Sequence, residues 1–357
     1  MAQLPPLESE IHAAIQSVLR NGNYILGGQV SAFEAEFSAY LGVTHVIGCG
    51  SGTDAIVLAL RALDIGPGDE VIVPSHTATA TVTAVMLSGA TPVYADISAD
   101  CYTLDIQKVE EACSARTKAV IAVHLYGQAT DLDGLLEITR RRRLRLIEDC
   151  AQAAGASFRE KKLGTIGDIG CFSFFPTKNL GAIGDAGAVV CKDAEIAARI
   201  RRLRQYGWDD RRISIETGMN SRLDEMQAAI LRVKLPHLDQ HNTDRAQQAV
   251  GYKTTLADLP IILPAQRAHS SHVYHLFVIR TSAADRDMLI QHLARNGITC
   301  GIHYATPVHL MPAFNGKHAL PITESIVKEI VSLPMFPGLD KNAQERVISS
   351  IRAFYAR

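Results

Sequence analysis

No two cysteines of this chain form a CxxC pair. The seven present, at positions 49, 101, 113, 150, 171, 191 and 300, are scattered and odd in number. That pattern argues against a disulfide framework and against a zinc site, and it fits a reduced compartment. An excess of either charge is also missing. The 36 Lys and Arg against 37 Asp and Glu leave a formal net charge of −1, so nothing favours nucleic acid or an anionic membrane as partner. The one local exception is the basic run Arg140, Arg141, Arg142, Arg143 and Arg145. It reads as a helix end leading into a strand, with its guanidinium groups solvated or facing a subunit. Long apolar spans are scarce too. Val71 to Ala95 carries no Asp, Glu, Lys or Arg and is long enough to cross a bilayer, but Pro74, His76, Gly89, Pro92 and several threonines interrupt it. A buried strand–helix–strand unit fits it better. The opening "MAQLPPLESEIHAAI" has no basic segment followed by an apolar stretch. The expectation is therefore a cytoplasmic protein without a signal peptide, a metal site, a nucleic-acid partner or a membrane partner.

What is present is an α/β rhythm. Short β-rich runs alternate with helical segments: His45–Gly48, "EVIVP", "TPVYAD", "KAVIAVHL" and "LRLIED" as strands, with helices over Asp54–Leu63, "TATVTAVMLSG" and Leu132–Arg142. "GCFSFF" and "GAVVCK" add two strands separated by a loop. This pattern predicts a mostly parallel, doubly wound sheet. Helices come next at Ala194–Gln205 and from Leu223 to about Leu256, the latter bent at Pro236. "VYHLFVIR" and "GITCGIHY" read as strands flanking a helix over Asp285–Asn296, and "QERVISSIRAFYAR" as a last amphipathic helix. The division expected is a large domain, 1–240, and a smaller α+β domain, 241–357.

Three features point to chemistry. From Ile169 to Gly184 the only Asp, Glu, Lys, Arg or His is Lys178, set in "SFFPTKNLGAIG". A lysine in such surroundings either reaches water or a carboxylate, or gives up its charge, and a neutral amine attacks carbonyls to form Schiff bases. "HVIGCGSGTDAIVLALRAL" is a strand, a glycine-rich turn and a helix. Gly50, Gly52 and Thr53 stand where free N–H groups and the helix dipole would bind a phosphate, although a plain tight turn explains them equally well. It is neither a Walker loop nor a dinucleotide fingerprint, which argues against a nucleotide-binding dehydrogenase. "LRLIEDCAQAAGA" puts Glu148 and Asp149 at the carboxyl end of a strand, where ligands bind in open α/β sheets. There a carboxylate holds a protonated ring nitrogen, or caps the next helix. A phosphate cradle, a strand-end carboxylate and a desolvated lysine together meet the needs of pyridoxal 5'-phosphate.

The chain also resembles, over nearly its whole length, the DegT/DnrJ-type sugar-nucleotide aminotransferases, a family of fold-type-I pyridoxal phosphate enzymes. The matching words are "GSGTDAIVLALRALDIGPGDEVIVPS", "HLYGQATDLDGL", "EDCAQAAGA", "FSFFPTKNLGAIGDAGAVV", "NSRLDEMQAAILRVKL" and "HYATPVHLMPAF". The resemblance implies that Lys178 holds the cofactor as a Schiff base and shuttles the proton. It implies that Asp149 pairs with the pyridine nitrogen, that Gln152 lies near the ring hydroxyl, and that Gly52, Thr53 and Ser173 bind the phosphate. Asn220 would reach the phosphate from the second copy in a homodimer, and His303 and Tyr304 would lie near the sugar nucleotide. L-Glutamate is the implied amino donor. Family members with histidine in place of the lysine are dehydratases, and Lys178 argues against that branch. The wording is most similar to members that aminate the 3-keto group of a nucleotide-linked 6-deoxyhexose. A 4-keto sugar, a UDP-linked 3-keto uronic acid, a different cofactor reaction on the same fold and a regulator of the same fold are the alternatives.

Two departures stand out. Ala78 occupies a position where the family carries an aromatic residue stacked on the cofactor ring, so either His76 compensates or the ring has less cover. Ala186 stands where glycine is common. Trp208 lies in a polar stretch, with cover over the active site of either subunit as the lesser reading, and "RRISIETGMNSR" reads as a loop mobile until Asn220 orders on cofactor binding, its arginines either meeting the substrate diphosphate or salt-bridged.

Overall fold

The computed structural model describes residues 7–314, 316 and 318–356. Two helices, α1 (Glu8–Asn21) and α2 (Gly28–Leu41), precede the first strand, β1 (His45–Cys49). Alternation then runs α3 (Gly52–Ala62), β2 (Glu70–Pro74), α4 (Thr79–Leu87), β3 (Thr91–Ala95), α5 (Ile106–Ala112), β4 (Thr117–Val123), α6 (Leu132–Arg142) and β5 (Arg145–Asp149). A small hairpin, β6 (Ser157–Phe158) with β7 (Lys161–Lys162), leads to β8 (Ile169–Ser173), β9 (Gly187–Cys191) and α7 (Ala194–Leu203).

The central sheet has seven strands in the order β1-β9-β8-β5-β4-β2-β3. Pairings from β3 through β2, β4 and β5 to β8 are parallel, while β9 lies antiparallel between β8 and β1. All strands except β9 therefore end at one edge. Alternate residues feed two apolar layers: Val120 and Ala122 of β4 and Leu146 of β5 pack on one face with Phe33 and Phe37 of α2, and Ala119, Ile121 and Ile147 pack on the other with α3. Burial on both faces explains why these strands read as continuous apolar runs. Helix α3 is apolar all round because it is sunk between the sheet and α4 and α7. Side chains start the helices at the expected places: Ser51 Oγ accepts from Asp54 N at 3.1 Å at the head of α3, and Asp131 and Asp193 do the same for α6 and α7.

Helix α8 (Glu225–Lys234) and helix α9 (Leu238–Thr255) are separated by a 3₁₀ turn holding Pro236, the bend expected there. Beyond α9 come β10 (Phe277–Arg280), α10 (Arg286–Arg295), α11 (Pro321–Ile326), β11 (Ile330–Leu333) and α12 (Lys341–Tyr355). A separate apolar cluster, including Tyr252, Phe277, Leu289, Val331 and Ile351, holds α9, β10, α10, β11 and α12 together.

The segment "GITCGIHY" is not a strand. Only Gly301 bridges to Ser332, and the strand that pairs with β10 is β11, antiparallel, from a short apolar run not anticipated. The remainder of 297–304 is an irregular connection whose polar groups serve side chains instead: His303 Nδ1 contacts Ser332 Oγ at 2.9 Å. The basic run is tied down by surface ion pairs, Arg141 and Arg142 to Glu110 and Arg145 to Asp168. Within "RRISIETGMNSR", Gln205 bridges Asn220, Trp208 bridges Ser214, and Glu216 receives Arg199 and Arg202 of α7, each at 2.9 Å.

Candidate active site

A cavity of about 230 Å³ opens at the sheet edge where the like-directed strands end. Its walls are the residues just beyond those strands: Ser51, Gly52 and Thr53 after β1, Thr77 and Ala78 after β2, Leu125 after β4, Asp149 and Gln152 at and after β5, Ser173 and Lys178 at and after β8. Topology alone brings together side chains scattered over more than a hundred positions.

The first turn of α3 faces this cavity. N–H groups of a first helical turn have no intrahelical acceptor, and the dipole adds partial positive charge. Gly52 is required here: a Cβ in its place would lie 2.6 Å from Ser173 Cβ. The absence of a side chain is what lets the backbone of α3 approach Ser173, leaving an amide-and-hydroxyl cradle.

Asp149 and Glu148 separate cleanly. Glu148 is fully buried, and its Oε1 accepts from Ile166 N and Gly167 N, both at 2.7 Å. Its Oε2 accepts from Gly164 N at 2.8 Å and from His124 Nε2 at 3.0 Å. Thr130 N donates to the other ring nitrogen of His124, so the His124 proton sits on Nε2. The pair is occupied in holding loop 163–167, and neither member reaches the cavity. Asp149 does. Thr81 Oγ1 donates to its Oδ2 at 2.8 Å and Ala151 N to its Oδ1 at 3.1 Å, which fixes a buried carboxylate as a hydrogen-bond acceptor.

Lys178 lies on the loop joining β8 to β9. That loop is pinned by Phe174 N to Ala186 O at 2.8 Å and Ala182 N to Phe174 O at 2.7 Å. Asn179 adds a deeper anchor, with Nδ2 donating to Asn242 Oδ1 and Val273 O. Part of the Lys178 side chain stays open toward the cavity. Loss of hydration is still the larger effect on its amine and draws the pKa below that of free lysine, while the charge of Asp149 opposes the shift. This is the desolvated lysine expected from the apolar surroundings.

Gln152 and Tyr304 are joined. Tyr126 N donates to Gln152 Oε1 at 2.7 Å, and Gln152 Nε2 donates to Tyr304 OH at 3.0 Å. Tyr126 was not singled out by sequence, yet it links three parts of the site. Its hydroxyl donates to His303 O and so must accept from His76 Nε2, 2.6 Å away. Desolvation lowers the pKa of His76 to about 4, so the ring is neutral with its proton on Nε2. The positive φ of Tyr126, 60°, is the local signature of this strained corner. Burial pushes the Tyr304 phenol up to about 12, so it stays a hydroxyl.

His76 does not replace the missing aromatic residue. It is buried against Tyr102 and Tyr126 and contributes nothing to the cavity wall, whereas Ala78 does line it. Trp208 lies tilted against Tyr206, with ring centroids 5.0 Å apart, and is outside the wall of this cavity. Asn220 is exposed, far along the chain from the strand ends, and is not among the wall residues either.

An amine and a carboxylate on one cavity, beside a helix N-terminus at the carboxyl edge of a parallel sheet, define a transferase working through a bound aldehyde cofactor. The chain belongs to the DegT/DnrJ/EryC1/StrS aminotransferase family, whose model matches residues 5–352. It is 48% identical, over 98% of its length and 93% of the relative's, to dTDP-3-amino-3,4,6-trideoxy-alpha-D-glucose transaminase of Streptomyces venezuelae. It is 46% identical to UDP-N-acetyl-3-dehydro-alpha-D-glucosamine 3-aminotransferase of Acidithiobacillus ferrooxidans, over 98% and 95% of the two chains. Among solved structures, S. venezuelae DesV in complex with a ketimine intermediate superposes with a TM-score of 0.97 at 47% identity, covering 100% and 97% of the chains. Other structures that it resembles hold pyridoxal phosphate or pyridoxamine phosphate. The protein is a pyridoxal-phosphate-dependent aminotransferase of α/β fold. No helix among the described residues is long and apolar enough to cross a membrane.

Proposed function

We propose that the protein moves an amino group from L-glutamate to the 3-keto group of a nucleotide-linked 6-deoxyhexose, with dTDP as the nucleotide. The observation that carries this reading is the convergence of Lys178, Asp149 and the Gly52–Ser173 cradle on one cavity, in a chain so similar to a dTDP-3-amino sugar transaminase. Both relatives named above aminate carbon 3 by their names, on different nucleotides, which favours that carbon over carbon 4.

In this reading the cofactor, when bound, supplies an aldehyde for the amine and a protonated ring that accepts electrons. Lys178 is its attachment point. Its amine, whose pKa desolvation lowers, would serve as the group that removes a proton from the donor's α-carbon and, in the second half of the cycle, delivers one to the sugar carbon. Asp149, oriented by Thr81 and Ala151 N, keeps a proton on the ring nitrogen. Gly52, Thr53 and Ser173 hold the phosphate, and Gln152 lies beside the ring hydroxyl. His303 and Tyr304 meet the sugar nucleotide. The active unit is a homodimer in which Asn220 of each copy completes the other's phosphate site, which accounts for an exposed asparagine outside its own cavity. Residues 1–240 form the cofactor domain and 241–357 the smaller one.

The test is a panel of thymidine- and uridine-linked keto-sugars with glutamate as donor, product amination followed by mass spectrometry. Turnover of a dTDP-3-keto-6-deoxyhexose is expected. Turnover of a 4-keto sugar with none of any 3-keto sugar would overturn the assignment.

A further inference from the structure

A second cavity of about 600 Å³ shares Gln152 and Lys178 with the first and extends away from it toward α8, α9 and residues 335–336. Its wall carries three basic side chains, Lys178, Lys234 and Arg245, and no Asp or Glu. Lys234 and Arg245 are buried, with 5% and 3% of their surfaces exposed. Among the described residues, neither stands within 4 Å of a carboxylate. Lys234 Nζ donates to Gly181 O, and Arg245 Nη1 donates to the carbonyls of Tyr274, His275 and Met335 at 3.2, 3.4 and 3.1 Å. Arg245 Nε is buried with no acceptor at all.

Buried charges in proteins are ordinarily paired, because an isolated one forfeits several kcal/mol of solvation. Two on one cavity wall, with no acid opposite, leave a site whose counter-charge comes from outside the chain. The two histidines on the same wall do not supply it. His275 Nδ1 meets Asn179 Oδ1 at 3.0 Å, and Asn179 Nδ2 is already a donor, so His275 donates there; both His275 and His303 have pKa values lowered by desolvation, with Lys178 adding to the shift. Burial lowers the pKa of both Lys234 and Arg245, and that of Arg245 only to about 10, so the guanidinium stays charged near neutral pH.

We propose that this cavity is the carboxylate subsite for the dicarboxylic amino donor, with Lys234 and Arg245 as the groups that select a second carboxylate. The proposal rests on the aminotransferase reading and adds donor specificity to it. Lys178 lies on both cavities, so an amino acid seated in the second presents its amine beside the reacting group of the first.

Two measurements test it. In the holoenzyme, conversion of the cofactor spectrum is followed with L-glutamate and with L-alanine. Lys234→Gln should reduce the preference for glutamate by about 10- to 100-fold, the value of a charge-assisted contact, and Lys234→Arg should retain it. An equal loss for both amino acids, or an unchanged preference, would overturn the subsite; no conversion by wild type with either would instead sink the aminotransferase reading. In the cofactor-free protein, calorimetry in phosphate-free buffer should show 2-oxoglutarate binding to wild type and weakened binding to Lys234→Gln. Binding of 2-oxoglutarate that Lys234→Gln leaves unchanged would refute the proposal.

Discussion

Glu148→Gln isolates the acid that does not touch the cavity. In the native protein four donors converge on its carboxylate, two on each oxygen. An amide keeps one oxygen, best placed against Ile166 N and Gly167 N. Its NH₂ then faces Gly164 N–H and His124 Nε2–H, donor against donor. His124 cannot escape by moving its proton, because Nδ1 already accepts from Thr130 N at 3.1 Å. Two buried donors thus lose their acceptor, each at about 1–3 kcal/mol, so the loss of stability is roughly 2–6 kcal/mol. For a chain of this size about 2 °C of Tm accompanies each kcal/mol, which sets the expected fall at roughly 4–12 °C. The assay is thermal unfolding by circular dichroism of cofactor-loaded wild type and variant at one scan rate, with the cofactor absorbance recorded alongside. That absorbance should be unchanged, since Asp149 keeps both of its partners. pH sharpens the test. Burial raises the Glu148 pKa, but His124 and the backbone N–H groups outweigh it, so the folded value lies below the ordinary 4.5. A depressed carboxyl pKa contributes stability that is present above pH 4.5 and lost as pH falls through the folded value. The Tm gap between wild type and variant should therefore be full at pH 7 and narrow below about pH 4.5. A Tm within about 1 °C of wild type at pH 7 would refute the reasoning.

Four more outcomes are expected. Lys178→Ala should abolish turnover and the absorbance of the lysine-bound cofactor, checked by spectrum and steady-state rate. Asp149→Ala should cost several orders of magnitude in kcat while Tm moves far less than for Glu148→Gln. Tyr126→Phe removes the hydroxyl between His76 and the His303 carbonyl; KM for the keto-sugar should rise several-fold with a smaller change in kcat, because Tyr304 is positioned through this corner. Ala78→Phe should tighten cofactor retention by about 2- to 10-fold, the value of an aromatic contact, measured as the dissociation constant of pyridoxal phosphate.

Much of this architecture is legible in the chain because burial on both faces of a parallel sheet writes itself as apolar runs. β2 falls on "EVIVP" as read, and α6 on Leu132–Arg142. The antiparallel insertion of β9 between β1 and β8 was not legible, since strand order is set by a crossover and leaves no mark in "GAVVC". "GITCGIHY" misled because its alternation serves side-chain contacts around Gly301 and His303 and not a ladder. Lys178 announced itself by the absence of other charges around it. Spacing alone did not separate Asp149 from Glu148; the resemblance chose Asp149, and the fold supplies the reason, since adjacent strand residues face opposite ways, one to the loop and one to the cavity. Thr81, Tyr126, Lys234 and Arg245 carry no local signal: each sits in an ordinary helix or turn and acquires meaning from neighbours far along the chain.

The short tether of Lys178 has a kinetic meaning. Its loop returns to the same sheet edge from which it departs, stapled at both ends and through Asn179, so the backbone beneath the amine is a fixed post. The amine nevertheless borders two chambers. Travel between them needs only rotation about side-chain bonds, motion on a picosecond-to-nanosecond scale, and no hinge. Reorienting the amine therefore asks no movement of the backbone beneath it.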